Sequence, residues 1–215
     1  MNRRGLFFPT HDENPRTIVP IVTWTLLALN VLVFFFTVFS LDEVISAYGF
    51  VPAEFSLITI FTSMFLHAGI AHIFGNAWFL FIFGDNVEEA FGHGKFLLFY
   101  LLCGVAATLT HWITNIGSVI PAVGASGAIS GVLGAYLVLY PHAKVHVAGQ
   151  FGSGKVPASV MLGVWFAYQL LSGFLGFFGS NSGVAFWAHI GGFVAGVLGA
   201  KLLARNKKNR SLLSS

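Results

Sequence analysis

The chain has 215 residues, a formal net charge of +3 and only 9% charged residues, whereas a soluble domain carries roughly 25%. Its mean hydropathy is +0.80, and 24 of its residues are Phe. One core of this size cannot bury so much apolar surface, which excludes an ordinary soluble domain. The single cysteine, Cys103, excludes an intrachain disulfide scaffold and a cysteine-rich zinc module.

Long stretches without charge indicate transmembrane helices, because one crossing takes about 20 apolar residues. Polar and glycine-rich breaks around 115–121 and 179–183 divide the two longest stretches. The sequence therefore predicts an all-α polytopic membrane protein, a six-helix bundle with helices near 17–39, 70–90, 95–114, 125–141, 156–177 and 184–204. Residues 1–16 would form a cytoplasmic tail, 17–204 the membrane domain and 205–215 a basic cytoplasmic tail.

The basic residues predict the orientation of this bundle, since cytoplasmic loops carry an excess of Lys and Arg. With six crossings, all 11 Lys and Arg fall on one side of the membrane. The opposite loops contain none, and the first of them carries Asp42, Glu43 and Glu54. We therefore expect both termini in the cytoplasm and the protein in the cytoplasmic membrane.

Four polar residues of the predicted spans share one depth. His72 and Asn76 lie near the outer end of the second span, Ser126 opens the fourth, and His189 opens the sixth. At 1.5 Å per residue, each lies within roughly 10 Å of the outer end of its helix. Because polar groups inside a membrane are costly, this layer is a candidate functional site.

Ser126 lies in the segment Gly124-Ala125-Ser126-Gly127, at the start of a helix. This location suits a nucleophile: the flanking Gly124 and Gly127 let a substrate backbone approach, and the unpaired amides of a helix N-terminus can stabilise an oxyanion. The alternative is that Ser126 is a small packing residue. Small residues recur along the same helix at the four-residue spacing that brings membrane helices together.

His189 is followed by its own series of small residues at four-residue spacing. With the residue before it, the series is Ala188, Gly192, Gly196 and Ala200. Two such series at one depth predict close packing of their helices, which would put His189 within hydrogen-bond reach of Ser126. A histidine that takes the serine proton makes the hydroxyl a competent nucleophile. The alternative is a histidine hydrogen-bonded to any neighbouring hydroxyl or carbonyl.

His72 and Asn76 are four residues apart and therefore share one face of their helix. Both can donate hydrogen bonds to a developing negative charge without placing a net charge in the membrane. They are candidate oxyanion donors. The alternative is a hydrogen bond between helices, which is a common role for such residues in membranes.

Other membrane chemistries lack the groups they require. The sequence contains no His-Glu-x-x-His motif for a zinc protease. The acidic residues of the spans, Asp85, Glu88 and Glu89, cluster at the cytoplasmic end, where solvation or an ion pair is the simpler interpretation and no aspartyl dyad can form. A mid-membrane ionisable relay, typical of a proton-coupled transporter, is absent. We expect no metal, no cofactor and no nucleic-acid partner.

The assembled motifs resemble those of the rhomboid family of intramembrane serine proteases, in its six-helix bacterial form. Three separated elements carry the resemblance, in the family's order: His72-Ile73-Phe74-Gly75-Asn76, Gly124-Ala125-Ser126-Gly127 and Ala188-His189-Ile190-Gly191-Gly192. The resemblance implies a rhomboid-like bundle in which Ser126 is the nucleophile and His189 its general base. It also implies that His72, Asn76 and the Ser126 amide form the oxyanion hole, beside Gly124.

The substrates implied by the resemblance are single-span membrane proteins, cut in or near their transmembrane segments without metal or ATP. Two alternatives stay open: a catalytically silent relative that binds transmembrane helices and, less favoured, a transporter. The sequence departs from many members in two places. The first outer loop lacks a Trp-Arg pair, and Ser130 stands one turn after the nucleophile, where some members have an aromatic residue on the catalytic histidine.

Overall fold

A computed structural model describes residues 7–14, 17–149, 152–176 and 184–213, with backbone alone at 7 and 204–213. The helices are α1 Ile21–Thr37, α2 Leu41–Tyr48, α3 Leu57–Thr62, α4 Ile70–Phe91, α5 His93–Thr114, α6 Ser126–Leu139, α7 Ala158–Gly176 and α8 Phe186–Leu213. The strands are β1 Phe7–Asp12, β2 Lys144–Gly149 and β3 Gly152–Pro157. The protein is a mostly helical, polytopic membrane protein.

Within the part of the chain that the structure describes, up to five helical units are long and apolar enough to cross a membrane, if each bent pair counts as one span. Three are single helices: α5, α7 and the first 18 residues of α8. The other two are bent pairs: α1 with α2, at 120°, and Leu57–Phe65 with α4, at 88°. The second bend falls within the charge-free stretch 55–84, which is longer than the roughly 20 residues that one straight crossing takes.

Helix α6 is the central and shortest of the predicted spans. Its 14 residues extend about 21 Å at 1.5 Å per residue, less than the roughly 30 Å of a hydrocarbon core. Every residue from 127 to 136 is buried, so α6 is surrounded by protein. A short buried helix can begin below the membrane surface, and Ser126 is its first residue.

Glycines bring α6 and α8 into backbone contact. A Cβ atom on Gly192 would lie 2.0 Å from the carbonyl oxygen of Gly127, and one on Gly196 would lie 2.0 Å from that of Gly131. No side chain fits at either position without separating the helices. The two small-residue series therefore face each other, as their spacing predicts.

A three-stranded antiparallel sheet, which the sequence analysis did not predict, covers one end of the bundle. β1 pairs with β2, and β2 with β3. The Trp78 indole N–H donates to the Pro9 carbonyl at 2.7 Å, which ties β1 to α4. Asp12, the last residue of β1, accepts hydrogen bonds from Tyr136 of α6 and Asn86 of α4. The strands are short, and β1 pairs with a strand more than 130 residues away, so local periodicity carried little signal.

Glu88 shows why acidic residues occur at the end of α4. Its carboxylate is fully buried and accepts from the Val22 and Thr23 amides at 2.9 and 2.7 Å. These amides belong to the first turn of α1, where N–H groups have no intrahelical partner. The His93 Nδ1 lies 2.6 Å from the Glu88 Oε1, the oxygen that also accepts from Val22. Glu88 thus caps the N-terminus of α1. The sequence analysis interpreted this residue as solvated or ion-paired, and solvation is wrong because the carboxylate is buried.

The described basic side chains lie at the end of the bundle that carries the sheet. Lys144 and Lys155 are in β2 and β3, and Lys95 follows the turn after α4. Lys201 lies two residues after Gly199 in α8. A Cβ atom on Gly199 would lie 3.0 Å from Phe99, which belongs to the first two turns of α5, so Lys201 lies at the same end as Lys95. The orientation prediction also used seven basic residues whose side chains lie outside the described part: Arg3, Arg4, Arg16, Arg205, Lys207, Lys208 and Arg210. The predicted break at 179–183 lies outside the described residues as well.

Candidate active site

The four candidate residues lie at the opposite end of the bundle from the sheet. Each belongs to the first two turns of its helix: His72 and Asn76 in α4, Ser126 in α6 and His189 in α8. All four line one open cleft of about 710 Å³. Because α4, α6 and α8 begin at the same end, residues far apart in sequence meet in one layer.

Ser126 and His189 form a hydrogen-bonded pair. The Ser126 Oγ lies 2.8 Å from the His189 Nε2. The contact between Gly127 and Gly192 lies one residue beyond Ser126 and three beyond His189, so backbone packing holds the pair at this distance. A hydroxyl that donates to a neutral imidazole is the arrangement from which a serine can be deprotonated.

His72 and Asn76 point toward the segment before Ser126. A Cβ atom on Gly124 would lie 2.7 Å from the His72 Nε2 and 3.6 Å from the Asn76 Nδ2. The Ala68 amide donates to the His72 Nδ1 at 3.4 Å, so the ring proton is on Nε2 and faces Gly124. The Asn76 Nδ2 is buried with no hydrogen-bond partner among the described residues. Two donors therefore converge beside Ser126.

Gly124 is restricted to glycine by two independent features. Its φ is +124°, a left-handed conformation that residues with a Cβ rarely adopt. Its missing side chain also leaves room for the His72 ring, which a Cβ would contact at 2.7 Å. The Gly124 amide donates to the Ser63 carbonyl at 2.8 Å, which fixes the loop before α6.

Two residues of α7 that sequence reasoning did not single out contact the His189 ring. The Gln169 Oε1 lies 2.8 Å from the His189 Nδ1, and the Trp165 ring centroid is 6.1 Å from that of His189. One signal was available for Gln169, because an amide in an otherwise apolar span is itself a candidate. Ser130, which stands where some rhomboid proteins have an aromatic residue, donates to the Ser126 carbonyl at 2.6 Å.

The described side chains offer no evident metal site. Across residues 8–14, 17–149, 152–176 and 184–203, no three or more His, Cys, Asp or Glu side chains are grouped to hold a metal ion. The His67 and His72 rings meet edge to face with centroids 5.1 Å apart, but they are only two. The polar groups at this site are thus a hydroxyl, imidazoles and amides, which suit proton transfer and oxyanion binding.

Comparison with known proteins agrees with the motifs. The family model of the rhomboid domain matches residues 54–206. Rhomboid protease GluP of Bacillus subtilis is 32% identical over 199 residues, which cover 87% of this chain but 36% of GluP. The rhomboid-family protein YdcA of the same organism is 29% identical over 206 residues, 92% of this chain and 97% of YdcA. Rhomboid protein 1 of Saccharomyces cerevisiae mitochondria is 30% identical over 146 residues, 65% of this chain and 40% of the yeast protein.

Proposed function

Because the chain belongs to the rhomboid family, we propose that it is an active serine endopeptidase that cuts membrane proteins with Ser126 and His189. The observation that carries the proposal is the 2.8 Å contact between the Ser126 Oγ and the His189 Nε2. Rhomboid proteases act on membrane-protein substrates within the bilayer. The site proposed here opens into a cleft at one end of such a bundle.

The proposed reaction begins with attack of the Ser126 Oγ on a substrate carbonyl carbon. The hydroxyl proton passes to the His189 Nε2, and the carbonyl oxygen becomes an oxyanion. The resulting imidazolium then gives its proton to the leaving amine nitrogen as the C–N bond breaks, which leaves an acyl ester on Ser126. A water molecule, deprotonated by His189, cleaves the ester and restores the serine.

His72, Asn76 and the Ser126 backbone amide are the proposed oxyanion donors. The Asn76 Nδ2 supports this role because it is buried without a partner among the described residues, which costs about 1–3 kcal/mol, and because Asn76 lines the cleft where a ligand can use it. The His72 Nε2–H faces the same point beside Gly124. A neutral donor set stabilises the oxyanion without burying a permanent charge.

The proposed substrates are single-span membrane proteins, cut near the outer face of the cytoplasmic membrane with both termini of the enzyme in the cytoplasm. The position of the basic residues at the sheet end supports this orientation. A helical substrate hides its carbonyls in internal hydrogen bonds, so it must unwind before attack. Spans with Gly or Pro near their outer end should therefore be preferred.

A paired substitution tests the proposal. Ser126→Ala should abolish both peptide cleavage and labelling by a fluorophosphonate, because it removes the only oxygen that attacks. Ser130→Ala is the matched control: this serine lies one turn further along α6, and its hydroxyl is bonded to the Ser126 carbonyl. It should retain cleavage and labelling.

Two outcomes would overturn the proposal. Cleavage by purified Ser126→Ala would reassign the serine to packing. A wild-type protein that neither cleaves transmembrane substrates nor reacts with the fluorophosphonate would instead be the catalytically silent relative.

A further inference from the structure

Gln169 is a buried polar side chain on a helix that otherwise faces lipid or apolar neighbours. Only 4% of it is exposed, whereas the neighbouring Tyr168 and Leu170 are 59% and 42% exposed. An amide is costly to bury in a membrane unless it is hydrogen-bonded. Its carbonyl oxygen is bonded to the ring of His189.

The geometry of that bond determines which nitrogen of His189 carries the proton. The Gln169 Oε1 lies 2.8 Å from Nδ1, while the Ser126 Oγ lies 2.8 Å from Nε2. An amide oxygen only accepts, so Nδ1 must hold the ring proton. Nε2 is then left with a lone pair, which is the form that can accept the serine proton.

We propose that Gln169 is the positioning residue of this enzyme, a neutral third member that holds His189 in the tautomer and orientation needed to activate Ser126. The inference rests on the proposed function. A carboxylate has this role in soluble serine proteases, where it also stabilises the imidazolium. An amide provides the acceptor alone, and it does so without a buried charge in the membrane.

The surroundings of His189 leave this role to Gln169. Among the described residues, the titratable groups that act electrostatically on His189 are His72 from α4 and His111 from α5, which line the same cleft. Helix α6 presents the neutral Ser126, and α7 presents Gln169 and Trp165. The cleft is lined by no Asp or Glu in the described part of the chain. Among the described side chains, therefore, no carboxylate is placed to orient the His189 ring instead of Gln169.

Trp165, on the same helix as Gln169, also contacts the His189 ring. It lies four residues before Gln169 and so on the same face of α7. Its ring is tilted 31° to that of His189 at 6.1 Å, and it also contacts Phe193, one turn after His189, at 5.9 Å. Helix α7 thus supplies the aromatic contact that Ser130 cannot supply from α6.

The test compares three variants of the full-length enzyme in detergent or proteoliposomes. Gln169→Leu keeps the size of the side chain but removes the acceptor; we expect kcat to fall about 100-fold, with KM little changed, because the tautomer and not substrate binding is affected. Gln169→Glu keeps the acceptor and adds a charge. It should stay active, with the acid limb of its kcat profile moved to higher pH by about one unit or more. Tyr168→Phe, on the exposed side of α7, should behave as wild type.

A spectroscopic measurement separates positioning from packing. In protein labelled with ¹⁵N-histidine and assigned against His189→Ala, the wild-type His189 should show a protonated Nδ1, and Gln169→Leu should show a mixture of tautomers. Wild-type kcat in Gln169→Leu would overturn the inference, as would an unshifted acid limb in Gln169→Glu. Should Gln169→Leu fail to fold, the Gln169→Glu profile decides. The proposed function fails separately, through an inactive and unlabelled wild type.

Discussion

The two ends of the helix bundle differ in whether their polar groups are all hydrogen-bonded. At the end with the sheet, Asp12 accepts from Tyr136, Asn14 and Asn86. The buried carboxylate of Glu88 accepts from two amides and a hydroxyl of α1. At the other end, the buried Asn76 Nδ2 has no partner among the described residues.

This difference is consistent with a division between polar groups that stabilise the fold and polar groups that the proposed reaction uses. A charged acceptor with several donors stabilises the fold, at about 1.5–3 kcal/mol for each such hydrogen bond. A buried donor without a partner destabilises the fold, and one that lines a cleft, as Asn76 does, is within reach of a bound substrate. The sheet end therefore holds the helices together, and the cleft end carries the proposed chemistry. Three predictions test this division.

The largest expected effect comes from two asparagines of the same helix. Asn76→Ala should lower kcat by about 10²–10³, the usual effect of losing one oxyanion donor, with a small change in stability. Asn86→Ala, ten residues further along α4, should keep kcat but lower the free energy of unfolding by about 2 kcal/mol, since its Nδ2 donates to Asp12 at 3.0 Å and Asp85 at 2.9 Å. Cleavage kinetics and thermal unfolding, measured for both variants, test the two expectations. A kcat loss in Asn86→Ala together with a stability loss in Asn76→Ala would contradict the division.

A second prediction concerns the backbone contact that holds Ser126 near His189. In Gly192→Ala the added Cβ would meet the Gly127 carbonyl oxygen at 2.0 Å, so α6 and α8 must move apart. A displacement of about 1 Å can cost roughly 100-fold in rate, and we expect a loss of that size in kcat/KM. Gly163→Ala, on α7, is the control because nothing lies within 4 Å of its Cβ position. Full activity in Gly192→Ala would show that the helix contact does not set the geometry.

The smallest effect is expected at Glu13, beside the sheet. Hydrogen bonds from Lys155 and His146 hold the pKa of the Glu13 carboxyl below its ordinary value of 4.5. A lowered pKa contributes stability that is complete above that ordinary value and is lost as pH falls through the lower folded value. Because the carboxylate is exposed, the contribution is small. Melting temperatures between pH 6 and 3 should fall slightly less for Glu13→Gln than for wild type, and kcat at pH 7 should not change.

Much of the fold follows from local patterns in the sequence. Long charge-free stretches predicted helices near 95–114 and 156–177, and the structure has them at His93–Thr114 and Ala158–Gly176. Hydropathy is summed within a segment, so it needs no knowledge of neighbours. The layer shared by His72, Ser126 and His189 was predictable from the same helix boundaries. Each residue lies close to the start of its helix, and the three helices start at one end of the bundle.

The sequence by itself thus determined the membrane class, the main helices and the four residues of the proposed site, whose catalytic roles stay predictions. Only the tertiary structure decided how His189 is oriented. Its contact with Gln169 depends on how α7 packs against α8, and the sheet at the other end depends on β1 pairing with a strand more than 130 residues away. Such contacts follow from packing between distant segments, and no local periodicity specifies which segments meet.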